Sequence, residues 1–176
     1  MSDDVLLRDF RNDDLEAILA LRARVFPATD LPRERRRWQW EFDDNPFKTT
    51  SAPKAWVFEH EGNVVGNYGL VPTPVSIDRK VELCFNGIDF AVAPELQGRK
   101  LGHRIIEHHF DPKLCAFPFL TGPTAPVAHL CEKHGGVTIR CGEDRSVFVF
   151  RCASDVPTPR PPREVCLLYT SDAADE

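Results

Sequence analysis

The fold is decided by residues 88–109, which read I-D-F-A-V-A-P-E-L-Q-G-R-K-L-G-H-R-I-I-E-H-H. The first five residues form an apolar run typical of a β-strand, and Pro94 ends it because proline has no N–H for a neighbouring strand. Apolar residues then recur at helical spacing, at Leu101, Ile105 and Ile106. The stretch therefore predicts a strand, a glycine-containing turn and the start of a helix.

The join between this strand and helix predicts an anion-binding site. The first-turn N–H groups of a helix have no partner within the helix, and the helix dipole is positive there. Gly98 and Gly102 let a ligand approach the backbone closely, and Arg99, Lys100 and His103 add positive charge. A P-loop is excluded, because its Gly-Lys-Ser/Thr ending is absent from this turn.

Length and composition indicate one globular domain in a reducing compartment. The chain has 176 residues and a net charge of -5, which gives no general attraction to nucleic acid or to an anionic membrane. No apolar run approaches the ~20 residues of a membrane span. The acidic start lacks an apolar leader, and the six cysteines form no Cys-x-x-Cys pair. We expect a cytoplasmic protein with free thiols.

The order of predicted elements alternates strands and helices along residues 5–152. We expect strands at 5–10, 54–60, 64–76, 81–92, 114–120, 137–141 and 146–152, and helices at 13–26, 31–45, 101–109 and 125–134. Asn12 or Asp13 is expected to cap the first helix. Pro72 and Pro74 predict an edge or bulged segment. Gly87 predicts a bulge or a close backbone approach.

The opening stretch resembles a known cofactor signature. Val92-x-Pro94-Glu95-x-Gln97-Gly98-x-x-x-Gly102 is similar to the acetyl-CoA signature Gln/Arg-x-x-Gly-x-Gly/Ala of the GNAT superfamily of N-acetyltransferases. Gln97 and Gly102 take its first and last positions, and Lys100 stands where the family usually has its middle glycine. The resemblance implies an α/β (α+β) fold over residues 1–152, with a mixed, mainly antiparallel sheet of about seven strands flanked by four helices.

The resemblance also implies where acetyl-CoA binds. The pantetheine arm and the thioester would lie along three residues at the end of the long strand: Phe90, Ala91 and Val92. The pyrophosphate would lie on the turn and first helical residues: Gln97, Gly98, Arg99, Lys100, Leu101, Gly102 and His103. Thr124 stands in the place of the family's asparagine at the start of the last helix.

The sequence offers fewer candidate catalytic residues than cofactor-binding residues, and it leaves the identity of the base and of the acid open. Acetyl transfer to an amine needs a general base, for which Asp89, Glu82 and Glu59 are candidates. A salt-bridged or solvent-facing carboxylate is the alternative interpretation of each. Cys131 stands in the place of the family's tyrosine acid, and a small cysteine buried in the helix is the alternative interpretation. Tyr68 is a second candidate acid.

The second predicted helix has two interpretations. Its arginines and aromatic residues over 33–42 are typical of a solvated basic face with aromatics packed inward. In GNAT proteins, however, the first two helices often cover the acceptor, so a substrate lid is the alternative. The adjacent histidines His108 and His109 face apart on a helix, and we expect no metal site.

The implied function is acetyl transfer from acetyl-CoA to a primary amine by direct attack in a ternary complex. The alternative is a non-catalytic acyl-CoA-binding module of a larger protein. Residues 153–165 are proline-rich and predict a linker. Residues 166–176 resemble a translated sequencing adaptor, and we expect the natural gene to continue beyond residue 165. A homodimer and a further domain beyond the linker are left open.

Overall fold

The order of helices and strands follows the prediction. The structure is a computed structural model that describes residues 5–77, 79–115, 117–141, 145–149 and 165–167. The strands are β1 (Leu6–Asp9), β2 (Ala55–His60), β3 (Asn63–Ile77), β4 (Lys80–Val92), β5 (Phe119–Thr121), β6 (Val137–Cys141), β7 (Arg145–Val149) and β8 (Val165–Leu167). The helices are α1 (Leu15–Val25), α2 (Leu31–Trp38), α3 (Leu101–His109) and α4 (Ala125–Lys133). A π-helical turn, Gln39–Asp43, continues α2.

One sheet joins all the strands. Its order is β1-β2-β3-β4-β5-β7-β6, and β8 pairs with β3. Every pair is antiparallel except β4 with β5, which run parallel. A mixed, mainly antiparallel sheet with four helices confirms the predicted fold class. None of the helices within the described ranges is long and apolar enough to cross a membrane.

Two helix starts show how side chains set the element boundaries. The Asp30 carboxylate accepts the Arg33 N–H at 3.2 Å and begins α2. The predicted caps of the first helix, Asn12 and Asp13, are wrong, because a short 3₁₀ turn, Asn12–Asp14, precedes α1. There the Asp14 carboxylate accepts the Arg11 N–H at 2.6 Å and also binds Arg8. Asp14 can do both because a carboxylate has two oxygens that each accept more than one hydrogen bond.

The proline-containing half of β3 lies at an edge, as predicted. The pairing of β2 with β3 ends at Ala55 and Gly69. Pro72 and Pro74 lie beyond that point and remain paired with β4. The missing proline N–H groups therefore face the side where β2 has already ended.

One of the later strands is shorter than predicted. The strand expected over 114–120 is shorter, because β5 covers only Phe119–Thr121. Leu114 instead closes a turn by donating its N–H to Asp111, and Pro118 has no N–H to extend the strand. Residues 150–152 of the last expected strand lie outside the described residues, as does most of the expected linker and tail. β8 spans the expected linker–tail boundary and pairs with residues 75–77.

Side chains on opposite faces of β2 enter two apolar clusters. Trp56 and Phe58 pack with the buried residues of α3, whereas Ala55 and Val57 pack with α1 and α2. Trp38 and Phe42 are buried in the second cluster at 4% and 2% exposure, as predicted, whereas Trp40 between them is 36% exposed. These clusters fix α1 and α2 on one face of the sheet and α3 on the other.

The buried face of α3 and the end of α4 are as predicted. Leu101, Ile105 and Ile106 of α3 are buried. Gly135 follows α4 with a φ of 85°, a left-handed conformation that glycine adopts freely. The Gly136 N–H donates to the Cys131 carbonyl at 2.9 Å, which closes the helix end.

Candidate active site

Strand β4 contains a bulge opposite Tyr68. The pairs Gly69–Ile88 and Asn67–Ala91 place two β4 residues, Asp89 and Phe90, opposite one β3 residue. Asp89 has a φ of 57°, a left-handed conformation that aspartate tolerates better than most residues. The buried Asn67 donates its Nδ2–H to the Asp89 carbonyl at 2.9 Å. The Asn67 side chain therefore holds the backbone of the bulge in place.

Gly87 shows the close approach that was predicted as an alternative to a bulge. A Cβ atom at Gly87 would lie 1.8 Å from Tyr68 Oη. Only glycine leaves room for this phenol over β4. The bulge itself lies two residues farther along the strand.

Strands β4 and β5 separate immediately after this point. Their parallel pairing covers Asn86 with Phe119 and Gly87 with Leu120. The two strands separate at a fork, and a hydrogen bond links them at its base, because Asn86 Nδ2 donates to Thr121 Oγ1 at 3.0 Å. Residues 88–92 have no β5 partner among the described strands, so one backbone edge of β4 opens into a cleft.

A cavity of about 270 Å³ lies in this fork. Its walls include four of the predicted site residues: Tyr68, Asp89, Phe90 and Thr124. Arg22 of α1 and Phe26, which directly follows α1, also line the cavity, and neither was predicted as a site residue. A larger cavity of about 660 Å³, beside Phe42 and Lys54, contains none of the predicted residues. The structure thus gathers residues 68, 89, 90 and 124 at one place.

The turn before α3 has the shape expected of an anion site. Gly98 has a φ of 82°, and Lys100, the residue that precedes α3, has a φ of 60°. This left-handed conformation explains why the family favours glycine at the position of Lys100. Gln97 donates its Nε2–H to the Val92 carbonyl at 3.2 Å, which ties the turn to the end of β4.

Close helix packing explains Gly102. A Cβ atom there would lie 2.9 Å from Leu130 Cδ2 of α4 and 3.6 Å from Phe90 Cε1. The next residue, His103, places its Nδ1 3.0 Å from His134 Nε2 at the end of α4. The first turn of α3 is therefore held against both α4 and the bulged strand.

Asp89 belongs to a cluster of five charged residues that joins β4 to α1 and α2. Its Oδ1 lies 3.0 Å from Arg22 Nη1, and its Oδ2 accepts from Arg37 Nη2 at 2.6 Å. Glu34 binds the same two arginines at 2.8 and 2.7 Å. Glu41 accepts from Arg37 Nη1 at 3.1 Å. Both oxygens of Asp89 therefore lie next to guanidinium groups, although Arg22 Nη1 makes no hydrogen bond with the described residues.

Glu41 is a member of this cluster that the sequence did not single out. Burial raises its pKa to about 7, and the neighbouring Asp89 and Glu34 act in the same direction, whereas Arg37 opposes them. The only signal in the sequence is an acid between two aromatic residues, Trp40 and Phe42. The other predicted bases lie elsewhere, since Glu59 binds Arg8 at 2.6 Å and Glu82 is exposed.

The two predicted acids differ in position. Tyr68 is fully buried, and burial raises its pKa well above its ordinary value. Its Oη makes no hydrogen bond with the described residues, and the buried His109 ring lies 5.3 Å from its ring. Cys131 is also buried, which raises its pKa to about 11, but it is not part of the cavity wall. Between the two, only Tyr68 faces the cleft.

No metal centre is formed by the part of the chain that the structure describes. Within it, no three histidine, cysteine or acidic side chains are grouped to hold an ion. His109 is buried among aromatic rings, and burial lowers its pKa to about 3. The expected absence of a metal stays a prediction.

Known proteins resemble this arrangement. A family model described as an acetyltransferase (GNAT) domain matches residues 7–112. A GNAT family acetyltransferase from Brucella melitensis, solved in complex with acetyl-CoA, is 16% identical with a TM-score of 0.62, over 97% of this chain and 98% of that one. The ribosomal-protein-S18-alanine N-acetyltransferase from Escherichia coli is 14% identical with a TM-score of 0.63, over 89% and 99%.

A longer protein also contains this fold. A GCN5-related N-acetyltransferase from Kribbella flavida is 19% identical with a TM-score of 0.56, and the alignment covers 77% of this chain and 33% of that one. The chain therefore spans about a third of that protein's length. None of the curated proteins matches the sequence.

Proposed function

The chain belongs to the GNAT family of acetyltransferases, and on that premise we propose that it transfers an acetyl group from acetyl-CoA to a primary amine. The observation that carries the proposal is the fork between β4 and β5. There the free edge of residues 88–92 leads directly to the turn at Gln97–Lys100 and the start of α3. A thioester arm fits along the edge, and a pyrophosphate fits the helix start.

The backbone of Phe90, Ala91 and Val92 is proposed to hold the pantetheine arm and the thioester. N–H groups on this edge would stabilise the oxyanion that forms when the amine attacks the carbonyl carbon. Gln97, Gly98, Arg99, Lys100, Leu101, Gly102 and His103 are proposed to surround the pyrophosphate. The amine attacks directly, the C–S bond breaks, and the CoA thiolate leaves with the proton that an acid supplies.

Asp89 is the base that we propose, acting through a water molecule. It is the carboxylate on the cavity wall among the three predicted bases. Its ion pairs with Arg22 and Arg37 also hold the side chain in place at the bulge.

Tyr68 is the acid that we prefer to Cys131. Both groups hold their protons at neutral pH because burial raises their pKa. Tyr68 is at the cavity wall with an unpartnered hydroxyl, as far as the described residues go. Thr124 at the start of α4 is proposed to contact the cofactor.

A non-catalytic acyl-CoA-binding module is the second candidate. Lys100 in place of the family's glycine and Cys131 in place of its tyrosine favour it. Release of free CoA thiol, measured with acetyl-CoA and a broad amine panel, separates the two. Tight binding of acetyl-CoA without thiol release across the panel would establish the module and exclude the transferase.

Gly102→Val tests the cofactor site. The new side chain would collide with Leu130 and cover the helix start, so acetyl-CoA affinity should fall at least tenfold by calorimetry. Leu130→Ala in the same chain removes the collision and serves as the packing control. Unchanged affinity in a folded Gly102→Val protein would refute the site.

The remaining expectations are also proposals. We propose a cytoplasmic location, and we keep open a homodimer and a further domain beyond residue 165. The greater length of the Kribbella flavida protein supports the last of these. Light scattering of the purified chain and long-read sequencing of its gene are the direct measurements.

A further inference from the structure

We propose that His134 is a positioning residue for the cofactor. Its protonated ring holds His103 as a hydrogen-bond donor to the pyrophosphate of acetyl-CoA, so that cofactor binding takes up a proton. The inference rests on the proposed binding of acetyl-CoA at the start of α3, and it adds a residue from the end of α4 to that site.

The two histidines lie at helix ends of opposite polarity. His103 is the third residue of α3, in the first turn, where the helix dipole is positive. His134 directly follows α4, and its N–H donates to the carbonyls of Cys131 at 3.0 Å and Leu130 at 3.3 Å. The dipole of α4 is negative at this end, so a positive charge is more stable on His134 than on His103.

A carboxylate also favours a proton on His134. The Oε1 atom of Glu107 lies 4.0 Å from His134 Nδ1, whereas the other ring nitrogen, Nε2, lies 3.0 Å from His103 Nδ1. The His134 side chain is only 18% exposed, but that of Glu107 is 65% exposed, so water weakens this attraction. Each nitrogen of His134 therefore has its own neighbour, Glu107 on one and His103 on the other.

Protonation of His134 determines where the hydrogen of His103 lies. A neutral pair can form its N–H···N bond in either direction, and one direction leaves His103 Nε2 as an acceptor, which a phosphate oxygen repels. A protonated His134 has hydrogens on both nitrogens and can only donate. His103 Nδ1 must then accept, and its hydrogen lies on Nε2. The pair then offers a donor and a positive charge, and both favour a bound pyrophosphate.

Other charged groups close to the pair in the chain lie on α3, on the turn before it and on α4. Among the side chains that the structure describes, the cations here are exposed to water and oppose a second proton on the pair: Arg99, Lys100, Arg104 and Lys133. The remaining acid, Glu132, is exposed and lies 3.9 Å from His129 Nδ1. Strand β4 packs against the start of α3 with the uncharged Phe90. We therefore expect the pair to take up one proton.

The test measures binding of dephospho-CoA to the whole chain by calorimetry at constant ionic strength. This probe keeps the pyrophosphate but lacks the 3′-phosphate, whose own titration at about pH 6 would obscure that of the protein. Histidine changes its charge between about pH 5 and pH 8, so affinity should be about fivefold higher near pH 6 than near pH 8. Calorimetry in buffers of different ionisation enthalpy should show proton uptake on binding.

His134→Gln should remove the pH dependence and the proton uptake, and it should bind at each pH as the wild type does near pH 8. If His134 acts through His103, the double variant should bind no more weakly than His103→Gln alone. His129→Gln is the matched control and should keep the wild-type profile. His129 is also on α4 beside an acid, but its side chain is 67% exposed.

The inference is overturned if wild-type affinity does not depend on pH, if dephospho-CoA does not bind, or if folded His134→Gln keeps the wild-type profile. An equal effect of His129→Gln, or additive losses in the double variant, would also overturn it. Urea unfolding checks the fold of each variant, and the wild-type profile is a test that needs no substitution. Thiol release from acetyl-CoA is recorded separately with the amine panel. The expected profile without thiol release would support the inference and refute the proposed transfer, whereas thiol release with pH-independent affinity would do the reverse.

Discussion

Two residues of the candidate site share a backbone conformation and differ in how it is held. Asp89 and Lys100 have φ values of 57° and 60°, in the left-handed region that most residues avoid. Contacts from α1, α2 and β3 converge on Asp89, through Arg22, Arg37 and Asn67. The Lys100 side chain is exposed and makes no ion pair or hydrogen bond with the described residues.

The site therefore has two parts that differ in how they are held. The bulge at Asp89 is the braced part, and the turn at Lys100 is the adjustable part. A left-handed residue other than glycine costs ~1–2 kcal/mol. At Asp89 the ion pairs from other elements offset that cost, so they hold the bulge in one geometry. At Lys100 nothing among the described contacts offsets it, so the turn depends on its own backbone. The following four substitutions test this distinction, from the largest expected effect to the smallest.

Arg37→Met should have the largest effect on stability. Arg37 binds Glu34, Glu41 and Asp89, and its removal leaves these partly buried carboxylates close together. We expect a loss of about 4 kcal/mol in the free energy of unfolding, measured with urea. Arg35→Met is the control, since Arg35 pairs with Glu16 on the open surface and should change little. Equal effects of the two variants would show that the cluster of charged residues does not brace the site.

Asp89→Gly should have the next largest effect, a loss of about 3 kcal/mol in the free energy of unfolding. Glycine removes the backbone strain, but Arg22 and Arg37 lose a common partner. Acetyl transfer should fall as well because the bulge is no longer held. A stability change below ~1 kcal/mol in this variant would contradict the importance of the ion pairs.

Glu41→Gln should stabilise the protein by about 2 kcal/mol above pH 7. Burial raises the pKa of Glu41 from 4.5 to about 7, so the folded protein binds this proton more tightly than the unfolded chain. The stability contributed by the proton is complete below pH 4.5 and is lost as the pH rises through about 7. Unfolding curves at several pH values should give the two proteins the same free energy of unfolding at low pH. The variant should become the more stable of the two as the pH rises. A pH-independent difference would show that Glu41 does not titrate in this range.

Lys100→Gly should give the smallest effect, a stabilisation of up to ~1 kcal/mol. The substitution is the same as at Asp89, and the expected sign is opposite. Loss of one positive charge should weaken acetyl-CoA binding only a few-fold, because the helix start remains. Destabilisation by Lys100→Gly would mean that the lysine is braced after all.

The sequence predicted the adjustable part better than the braced part. Gln97, Gly98 and Gly102 are close together in the chain, and their spacing alone indicates a turn before a helix. The ion cluster is formed by residues far apart, since Arg37 and Asp89 are 52 positions distant. Their contact depends on how α2 packs on the sheet, and local spacing carries no information about that. Glu41 was missed for the same reason.

Catalytic candidates show a second limit of the sequence. The family pattern placed Cys131 at the position of an acid, but the structure buries it outside the cavity wall. Tyr68 faces the cavity because Gly87, on the neighbouring strand, leaves room for its hydroxyl. The pairs from Ile77–Lys80 to Gly69–Ile88 keep one register, which places Tyr68 diagonally across from Gly87. The bulge at Asp89 follows these pairs, and the sequence did not locate it.

The two prolines of β3 have a consequence for pairing with a strand of another molecule. The Leu70 N–H faces the β2 side and donates to Lys54, so the N–H positions at 72, 74 and 76 face the same way. Proline occupies the first two, and residue 76 pairs with β8. The Pro72 carbonyl accepts from Asn45 Nδ2 at 3.2 Å. An incoming strand from another molecule therefore finds neither a donor nor a free acceptor at residue 72, which makes this part of the edge a poor partner for another strand.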